Sequence, residues 1–206
     1  MEQIFFLADC SVMGNDSGRS SAADRAQITC TGSSIGADMG NDVSMAVTRI
    51  RAPRIEDATS LDELHLETWA ETYACLFPDS AWGEEERRGR MRMWTSICSE
   101  PRPGDSFAVA ERDGRLVGLA GAGAGQDADA PREKQLWFIY LLASEHGTGA
   151  GQGLLDAVLG TDPASLWVLE ANPRARSFYV RNGFEPDGIR RPSGYEAAGD
   201  EIRMVR

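Results

Sequence analysis

The sequence predicts a mixed α/β domain of the α+β type, in which a sheet is flanked by helices. Segments with the continuous or alternating apolar pattern of strands follow segments whose apolar residues recur at helical spacing. Prolines and glycines separate these segments. The length of 206 residues, 42% of them hydrophobic, is ordinary for one domain with a full-sized core.

The charge and the cysteine content of the chain exclude several functional classes. The net charge of −11 disfavours a nucleic-acid binder that works by neutralising phosphates. No apolar run approaches the roughly 18 residues of a membrane-spanning helix, and the opening residues lack the basic start of a signal peptide. Four cysteines without a CxxC pair and only two histidines disfavour a structural zinc site. We expect a cytoplasmic protein with reduced thiols, no metal and no membrane contact.

Residues 1–45 differ from the rest of the chain. They are rich in glycine, serine and acidic residues and sustain neither a helical nor a strand period. Such a segment buries too little apolar surface to offset the entropy of ordering it. We therefore expect the domain to occupy residues 46–206. The preceding segment is expected to be either a disordered extension or a mis-assigned leader, with Met45 as the natural start of the protein.

A strand at residues 46–51 and two helices are predicted next. The first helix begins at Asp57 or Ser60, the latter in capping-box spacing with Glu63, and runs to Pro78. Its predicted apolar face consists of residues at helical spacing, namely Leu66, Trp69, Ala70, Tyr73 and Leu76 or Phe77. The second helix spans about residues 84–99 and ends before two prolines.

The remaining segments predict strands separated by turns. Residues 106–111 and 116–124 form a hairpin through an Asp-Gly turn. The nearly continuous apolar run at residues 134–142 predicts a strand that is buried on both faces. A further buried strand at 165–170 leads into a helix, and residues 201–205 form the last strand. Asn172-Pro173 begins that helix and Asn182-Gly183 ends it.

A glycine-rich turn carries the most informative pattern. Residues 146–155 read His-Gly-Thr-Gly-Ala-Gly-Gln-Gly-Leu-Leu, directly after a predicted buried strand and at the start of a helix. The unpaired N–H groups of such a helix start form a site for a phosphate or pyrophosphate. No lysine follows Gly153, which excludes a P-loop, and Gln152 and Leu154 break the dinucleotide-binding fingerprint.

This turn resembles the acetyl-CoA-binding signature [QR]-x-x-G-x-[GA] of the Gcn5-related N-acetyltransferase (GNAT) superfamily. Gly149 and Gly151 occupy the two glycine positions, and His146 departs from the usual Gln or Arg. Residues 166–186 resemble the second signature of the family, with its strand, Asn, A-x-x-F-Y and N-G-F. The hairpin VAERDGRLVGLAG and residues 50–58 resemble earlier segments, so the resemblance covers about residues 46–206.

The resemblance implies a central, mixed but mostly antiparallel, twisted sheet flanked by helices, with splayed fourth and fifth strands. It also implies acetyl-CoA as a co-substrate, without a metal. The residues matching the coenzyme-binding positions of the family are Ile139, Tyr140, Leu141, Gly147, Thr148, Gly149, Ala150, Gly151, Gln152, Asn172 and Tyr179. For Asn172, a helix cap alone is an equally good interpretation.

The same resemblance implies a reaction in which a primary amine attacks the thioester directly. Tyr179 matches the general acid, although core packing alone also explains it. The family's strand glutamate is replaced by Gln135, which leaves Glu133 and Glu170 as candidate bases, each also readable as a solvated or capping carboxylate. Trp69 and Tyr73 are candidate acceptor contacts that would serve equally as core residues. The implied function is an N-acetyltransferase acting on an amine of a small molecule or peptide.

The alternative is a non-catalytic acyl-CoA-binding sensor or interaction module. Its support is Gln135, which cannot act as a base, and the departure at His146. Under either interpretation no nucleic-acid partner is expected, and the sequence is compatible with a homodimer.

Overall fold

A computed structural model describes residues 47–73, 84–193 and 199–206. In these ranges the chain forms seven strands and four helices. The strands are β1 (Arg49–Arg51), β2 (Ser106–Arg112), β3 (Arg115–Ala124), β4 (Lys134–Leu141), β5 (Ala164–Leu169), β6 (Glu185–Pro192) and β7 (Asp200–Val205). The helices are α1 (Ala58–Tyr73), α2 (Glu84–Ser99), α3 (Ala150–Val158) and α4 (Pro173–Arg181).

All strands belong to one sheet of order β1-β2-β3-β4-β5-β7-β6. Every neighbouring pair is antiparallel except β4 and β5, which run parallel. The mixed, mostly antiparallel sheet that the family resemblance implies is therefore confirmed.

The strands β4 and β5 pair over three residues and then part. Their register joins Lys134–Leu136 to 164–166, and no ladder pair follows. On the other side of β4, Gly121 pairs with Phe138 and Ala122 with Leu136, which leaves Trp137 as an extra residue. Such a bulge bends the strand that carries it. The predicted splay of the fourth and fifth strands is thus present, next to a bulge in β4.

The helices cover both faces of the sheet around β4. Tyr140 stacks on His65 of α1, with ring centroids 5.2 Å apart. The next residue, Leu141, meets Leu154 of α3 beside Gly118. Because successive strand residues point to opposite faces, α1 and α3 lie on opposite sides of the sheet. The core between these layers includes large side chains that are almost fully buried, such as Trp94.

The start of α1 agrees with one of the two predicted alternatives, and its buried face does not agree with the prediction. The helix begins at Ala58, directly after a 3-10 turn that ends at Asp57. The Asp57 carboxylate accepts hydrogen bonds from the Arg54 N–H at 2.7 Å and from the Arg51 guanidinium at 2.6 Å. The Arg51 guanidinium holds the pKa of Asp57 below its usual value.

The predicted apolar face of α1 is wrong. Leu66 and Trp69 are half-buried and Ala70 is exposed. The buried residues of α1 are instead Ala58, Leu61, Asp62, Leu64, His65 and Thr68. The buried face of α1 is the one that contacts α2 and β4, since His65 meets both Trp94 and Tyr140. Because this face contains a polar histidine, the apolar pattern of the sequence did not reveal it.

Two strands also depart from the predictions. In β4, Leu136, Phe138 and Tyr140 are buried, but Ile139 and Leu141 are only half-buried, so the prediction of burial on both faces is wrong. The reason is the gap beside β5, which leaves one face of β4 partly open. Strand β6 was not predicted, and nearly all of its residues are exposed at the sheet edge.

Two predictions lie outside the described residues, namely the extension at 1–45 and the end of the first helix up to Pro78. Among the described helices, none is long and apolar enough to cross a membrane.

Candidate active site

Strand β4 leads through a short 3-10 turn into the glycine loop that precedes α3. Gly147 has φ +80° and Gly149 has φ +91°, the left-handed region that favours glycine. No atom lies within 4 Å of a Cβ built on either residue, so the backbone conformation, not crowding, requires glycine. The loop is fastened by Thr148, whose N–H and hydroxyl both donate to the main-chain oxygen of Glu145, at 3.3 and 2.8 Å.

The loop leaves main-chain donors free at the start of α3. Among the described residues, no acceptor lies within hydrogen-bond distance of the N–H groups of Gly147, Gly149, Gly151 or Gln152. The N-cap position of α3 is Gly149, which has no side chain to satisfy them. Such donors at a helix N-terminus are suited to bind an anion.

These donors face a cleft of about 320 Å³ between the parted strand β4 and helix α4. The residues lining the cleft are Thr68, Ile139, Tyr140, Leu141, His146, Gly147, Gly149, Gly151, Gln152, Arg174, Ala175, Phe178, Tyr179 and Arg181. Residues distant in sequence are thus brought together at the place where β4 and β5 separate.

Gly151 lines the cleft, close to Phe178 of α4 and Leu141 of β4. A Cβ built on Gly151 would be 3.8 Å from the Phe178 ring and 3.9 Å from Leu141. The side chain of Gln152 donates to Asn182 Oδ1 and to Asp156 Oδ1, each at 2.8 Å. The bond to Asn182 holds the end of α4 against the start of α3, and the bond to Asp156 fixes the Gln152 side chain within α3.

Tyr179 lies on α4 and lines the cleft, with only 4% of its surface exposed. Its ring packs against Phe178 and Phe184, with centroids 5.4 and 5.9 Å away. Its hydroxyl makes no hydrogen bond within the part of the chain that the structure describes. Burial raises the pKa of Tyr179 well above its ordinary value of about 10, so the hydroxyl is protonated at neutral pH and available as a donor.

Comparison with known proteins identifies the fold. A sequence profile described as the acetyltransferase (GNAT) family matches residues 62–184. The chain belongs to this family. The GNAT membership and fold expected from the glycine turn and the later signature are thereby confirmed.

A curated relative shares part of the chain. An uncharacterised N-acetyltransferase of Mycobacterium tuberculosis is 37% identical over 94 residues, which make up 43% of this chain and 58% of the relative. The chain thus matches a little over half the length of that relative.

Solved GNAT structures share the fold over most of the chain. An acetyltransferase of Streptococcus pneumoniae superposes with a TM-score of 0.58 at 20% identity, covering 78% of this chain and 98% of that one. The PaiA N-acetyltransferase of Thermoplasma acidophilum, solved in complex with coenzyme A, gives 0.50 at 22% identity, covering 76% and 98%. At these identities the comparison concerns the fold alone.

Most positions matching the GNAT coenzyme site line the cleft, but three do not. Thr148 is fastened to Glu145 as described, and Ala150 is buried at the start of α3. Asn172 is 2% exposed, and its Oδ1 accepts a hydrogen bond of 2.9 Å from the Ala175 N–H. Asn172 therefore caps α4, and a capping role does not prevent contact with a coenzyme.

The two candidate bases lie outside the cleft lining. Glu133 is exposed just before β4, at the end of the strand opposite to Ile139. Glu170 directly follows β5, and its carboxylate forms an ion pair with Arg190. Gln135, in the place of the GNAT strand glutamate, accepts a hydrogen bond of 2.9 Å from the Gln126 N–H and so fastens the β3–β4 loop.

The two candidate acceptor contacts are placed differently. The Trp69 ring is half-buried and packs edge-on against His65, with centroids 4.7 Å apart. The side chain of Tyr73 lies outside the described residues.

Several residues near the cleft were not found from the sequence. These are Thr68, Arg174, Ala175, Phe178 and Arg181 in its lining. His65 lies behind Tyr140, 2% exposed, and neither ring nitrogen has a hydrogen-bond partner in the described ranges. Burial, with a smaller contribution from the Arg90 charge, lowers the pKa of His65 to about 3, so this imidazole is neutral. The helical spacing of His65 and Thr68 was the available signal.

Proposed function

We propose that this protein is an acetyl-CoA-dependent N-acetyltransferase that transfers the acetyl group to a primary amine of a small molecule or peptide in the cytoplasm. The observation that carries the proposal is the row of free N–H groups at the start of α3, facing a cleft where two parallel strands part. GNAT membership supports acetyl transfer, and a related fold has been solved with coenzyme A.

The chain's own groups fit such a coenzyme. The free N–H groups of Gly147, Gly149, Gly151 and Gln152 would hold the pyrophosphate. The half-buried Ile139 and Leu141 offer an apolar wall to the pantetheine arm. Asn172 and Tyr179 belong to the same proposed set. When bound, acetyl-CoA supplies an activated acetyl thioester. A metal is not part of the proposal.

Tyr179 is the proposed general acid. Its hydroxyl borders the cleft, is free of other hydrogen bonds among the described residues and keeps its proton at neutral pH. A thiol has a pKa of about 8.5, so a phenol donates to a thiolate only against a gradient. The transfer becomes feasible because it coincides with cleavage of the carbon–sulfur bond, when the sulfur is most basic.

The amine must lose a proton before or during its attack. An amine with a pKa of about 10.4 is neutral in about one molecule in 2,500 at pH 7, which corresponds to about 4.6 kcal/mol. We propose Glu170 or Glu133 as the base, acting through water. Glu170 is the better placed, since it follows the strand that parts from β4, whereas Glu133 lies at the far end of β4. Trp69 and Tyr73 are proposed to contact the acceptor.

The test is an assay of the full chain with acetyl-CoA over a panel of primary amines, with thiol release measured by a chromogenic disulfide. We expect amine-dependent release of coenzyme A and a binding isotherm for acetyl-CoA by calorimetry. If acetyl-CoA binds and no amine is turned over, the alternative of a coenzyme-binding sensor or interaction module is favoured. One observation supports that alternative, because Gln135 is committed to Gln126 and supplies no base. If acetyl-CoA does not bind, both proposals are wrong.

A further inference from the structure

Arg206 follows β7, and its guanidinium reaches the ends of two helices. It donates to the main-chain oxygen of Gly160 at 2.6 Å, just beyond the last residue of α3. It also donates to the main-chain oxygens of Asp162 at 3.0 Å and of Asn182, the C-cap residue of α4, at 3.2 Å. Arginine is suited to these positions because the carbonyl groups at a helix C-terminus carry partial negative charge. One side chain therefore links the end of α3 to the end of α4.

The same guanidinium lies against the ring that adjoins the proposed acid. Arg206 Cζ is 4.7 Å from the centroid of the Phe184 ring. Phe184 is fully buried, and its ring packs against the Tyr179 ring with centroids 5.9 Å apart. The Phe184 N–H also donates to the main-chain oxygen of Tyr179 at 3.0 Å. Arg206 is thus connected to Tyr179 through a single intervening residue.

Helix α4 is fastened to α3 at a second point, and both links meet at Asn182. The side chain of Asn182 accepts the hydrogen bond from Gln152 at the start of α3, whereas its main-chain oxygen accepts the bond from Arg206. The free N–H groups at the start of α3 form the proposed pyrophosphate cradle, and α4 carries the proposed acid. These two links therefore set the position of Tyr179 relative to the cradle.

The three hydrogen bonds from the Arg206 guanidinium to described residues all go to main-chain oxygens, so they fix the backbone rather than another side chain. Hydrogen bonds from a charged donor are stronger than neutral ones. We infer that Arg206 is a positioning residue for acetyl transfer, which fixes the place of the Tyr179 hydroxyl relative to the cradle. A displacement of about 1 Å at a reacting group can reduce a rate about a hundredfold. This inference rests on the proposed function.

The test is a double-mutant cycle between Arg206 and Tyr179 on the full chain. The proteins are the unchanged chain, Arg206→Gln, Tyr179→Phe and the double variant, with Arg206→Lys as the conservative change. The matched control is Arg51→Gln. Arg51 is also mostly buried and bonds Asp57 and Glu111, neither of which belongs to α3, α4 or the cleft lining. Thiol release gives kcat, calorimetry gives the affinity for acetyl-CoA, and urea unfolding gives stability.

We expect Arg206→Gln to lower kcat about tenfold and to leave the affinity for acetyl-CoA within about threefold. The lost positioning matters only while the phenol donates, so adding Arg206→Gln to Tyr179→Phe should change kcat less than about twofold. Arg206→Lys keeps the charge but not the planar fork, and it should lower kcat about threefold. This variant replaces Arg206→Gln in the cycle if the latter does not fold. Arg51→Gln should lower stability and leave kcat unchanged.

Two outcomes would overturn the inference while the proposed function stands. One is a fall in kcat on substitution of Arg206 that is equally large with and without the Tyr179 hydroxyl, as a merely structural role would give. The other is an unchanged kcat in both Arg206 variants. If the unchanged protein turns over no amine, the proposed function itself is wrong.

Discussion

Two helices follow the two parallel strands of the sheet, and their N-termini differ in side-chain capping. Helix α4 follows β5 and is capped by its own sequence, with Asn172 accepting from Ala175 and Pro173 in the first turn. Helix α3 follows β4 and has Gly149 at its cap position, without a side chain to accept a hydrogen bond. The first N–H groups of every helix lack an acceptor within the helix. In α4 a side chain of the same chain supplies one, whereas in α3 the cap position supplies none.

The difference separates two tasks. A capped helix start is complete without a ligand, so α4 can hold Tyr179 and its ring neighbours in a fixed position. An open helix start is completed from outside, so α3 contributes affinity for an anion. Changes at the open start of α3 should therefore alter binding of acetyl-CoA. Loss of the Tyr179 hydroxyl should alter turnover, and loss of the Asn172 cap should alter stability.

The largest expected effect is on turnover, after substitution of Tyr179. Tyr179→Phe keeps the ring contacts with Phe178 and Phe184 and removes the proposed acid. We expect turnover to fall by about tenfold or more, within the usual range for a general acid, with affinity for acetyl-CoA little changed. Steady-state kinetics and calorimetry on the same preparation measure both. An unchanged turnover number would exclude the acid role.

The pH dependence of turnover sharpens this prediction. The buried phenol has a raised pKa, so Tyr179 keeps its proton as the pH rises through its ordinary value of about 10. Turnover should then show no decline between about pH 8 and 10 from loss of this proton. A tyrosine-dependent decline with a midpoint below about 10 would contradict the assignment.

The next largest effect is on the open helix start. Gly151→Ala places a methyl group at van der Waals distance from Phe178 and Leu141, inside the cleft. We expect acetyl-CoA to bind about tenfold less tightly, or about 1.4 kcal/mol. The free protein should be more stable by up to about 1 kcal/mol, because alanine is the better helix former. Calorimetry and urea unfolding measure these opposite changes.

Gly153→Ala is the matched control for this variant. Its methyl group would meet Ile50 Cγ1 at 2.9 Å, on the packed side of α3 rather than in the cleft. The overlap opposes the gain in helix propensity, and affinity for acetyl-CoA should stay within about twofold. Comparable loss of affinity in both variants would show that the cleft position of Gly151 does not matter.

Substitution of Asn172 tests the side-chain cap at the start of α4. Asn172→Ala deprives the Ala175 N–H of its acceptor, and we expect the free energy of unfolding to fall by about 1 kcal/mol. Asn172→Asp retains an acceptor and should recover most of this loss. Urea unfolding of the three proteins decides between them, and a stability of Asn172→Ala equal to the original would argue against the cap.

The smallest effect is expected at the position that departs from the GNAT signature. His146→Gln introduces a residue usual in the family while leaving the main chain of the loop unchanged. Since the main-chain donors carry the binding, affinity for acetyl-CoA should change less than about threefold, or about 0.7 kcal/mol. A larger change would mean that the His146 side chain takes a substantial part in binding.

The pyrophosphate cradle could be predicted from the sequence because its features are local. Glycines at 147, 149 and 151 follow a strand and precede a helix within a few residues, and two of them adopt the left-handed backbone that this pattern suggests. The hairpin and the cap at Asn172 depend on equally short patterns.

The rest depends on contacts between distant segments. Strand β6 contains Pro186, Gly188 and Pro192 and exposes nearly every residue, so only its pairing with β7 makes it a strand. His65 is buried because α2 and β4 meet there. Arg181 is a cleft residue only because the end of α4 is held against α3. None of these arrangements is fixed by a short local pattern in the sequence.

The parted strands have a consequence for the lifetime of the protein. Beyond residue 136, β4 has no ladder pair with β5, so the sheet has a seam of main-chain groups with no neighbouring strand. A coenzyme arm in that seam acts as a removable strand. At a coenzyme concentration a hundred times the dissociation constant, this linkage adds about 2.7 kcal/mol to the folded state. Amide exchange along the seam and resistance to proteolysis should then rise and fall with the metabolic supply of the coenzyme.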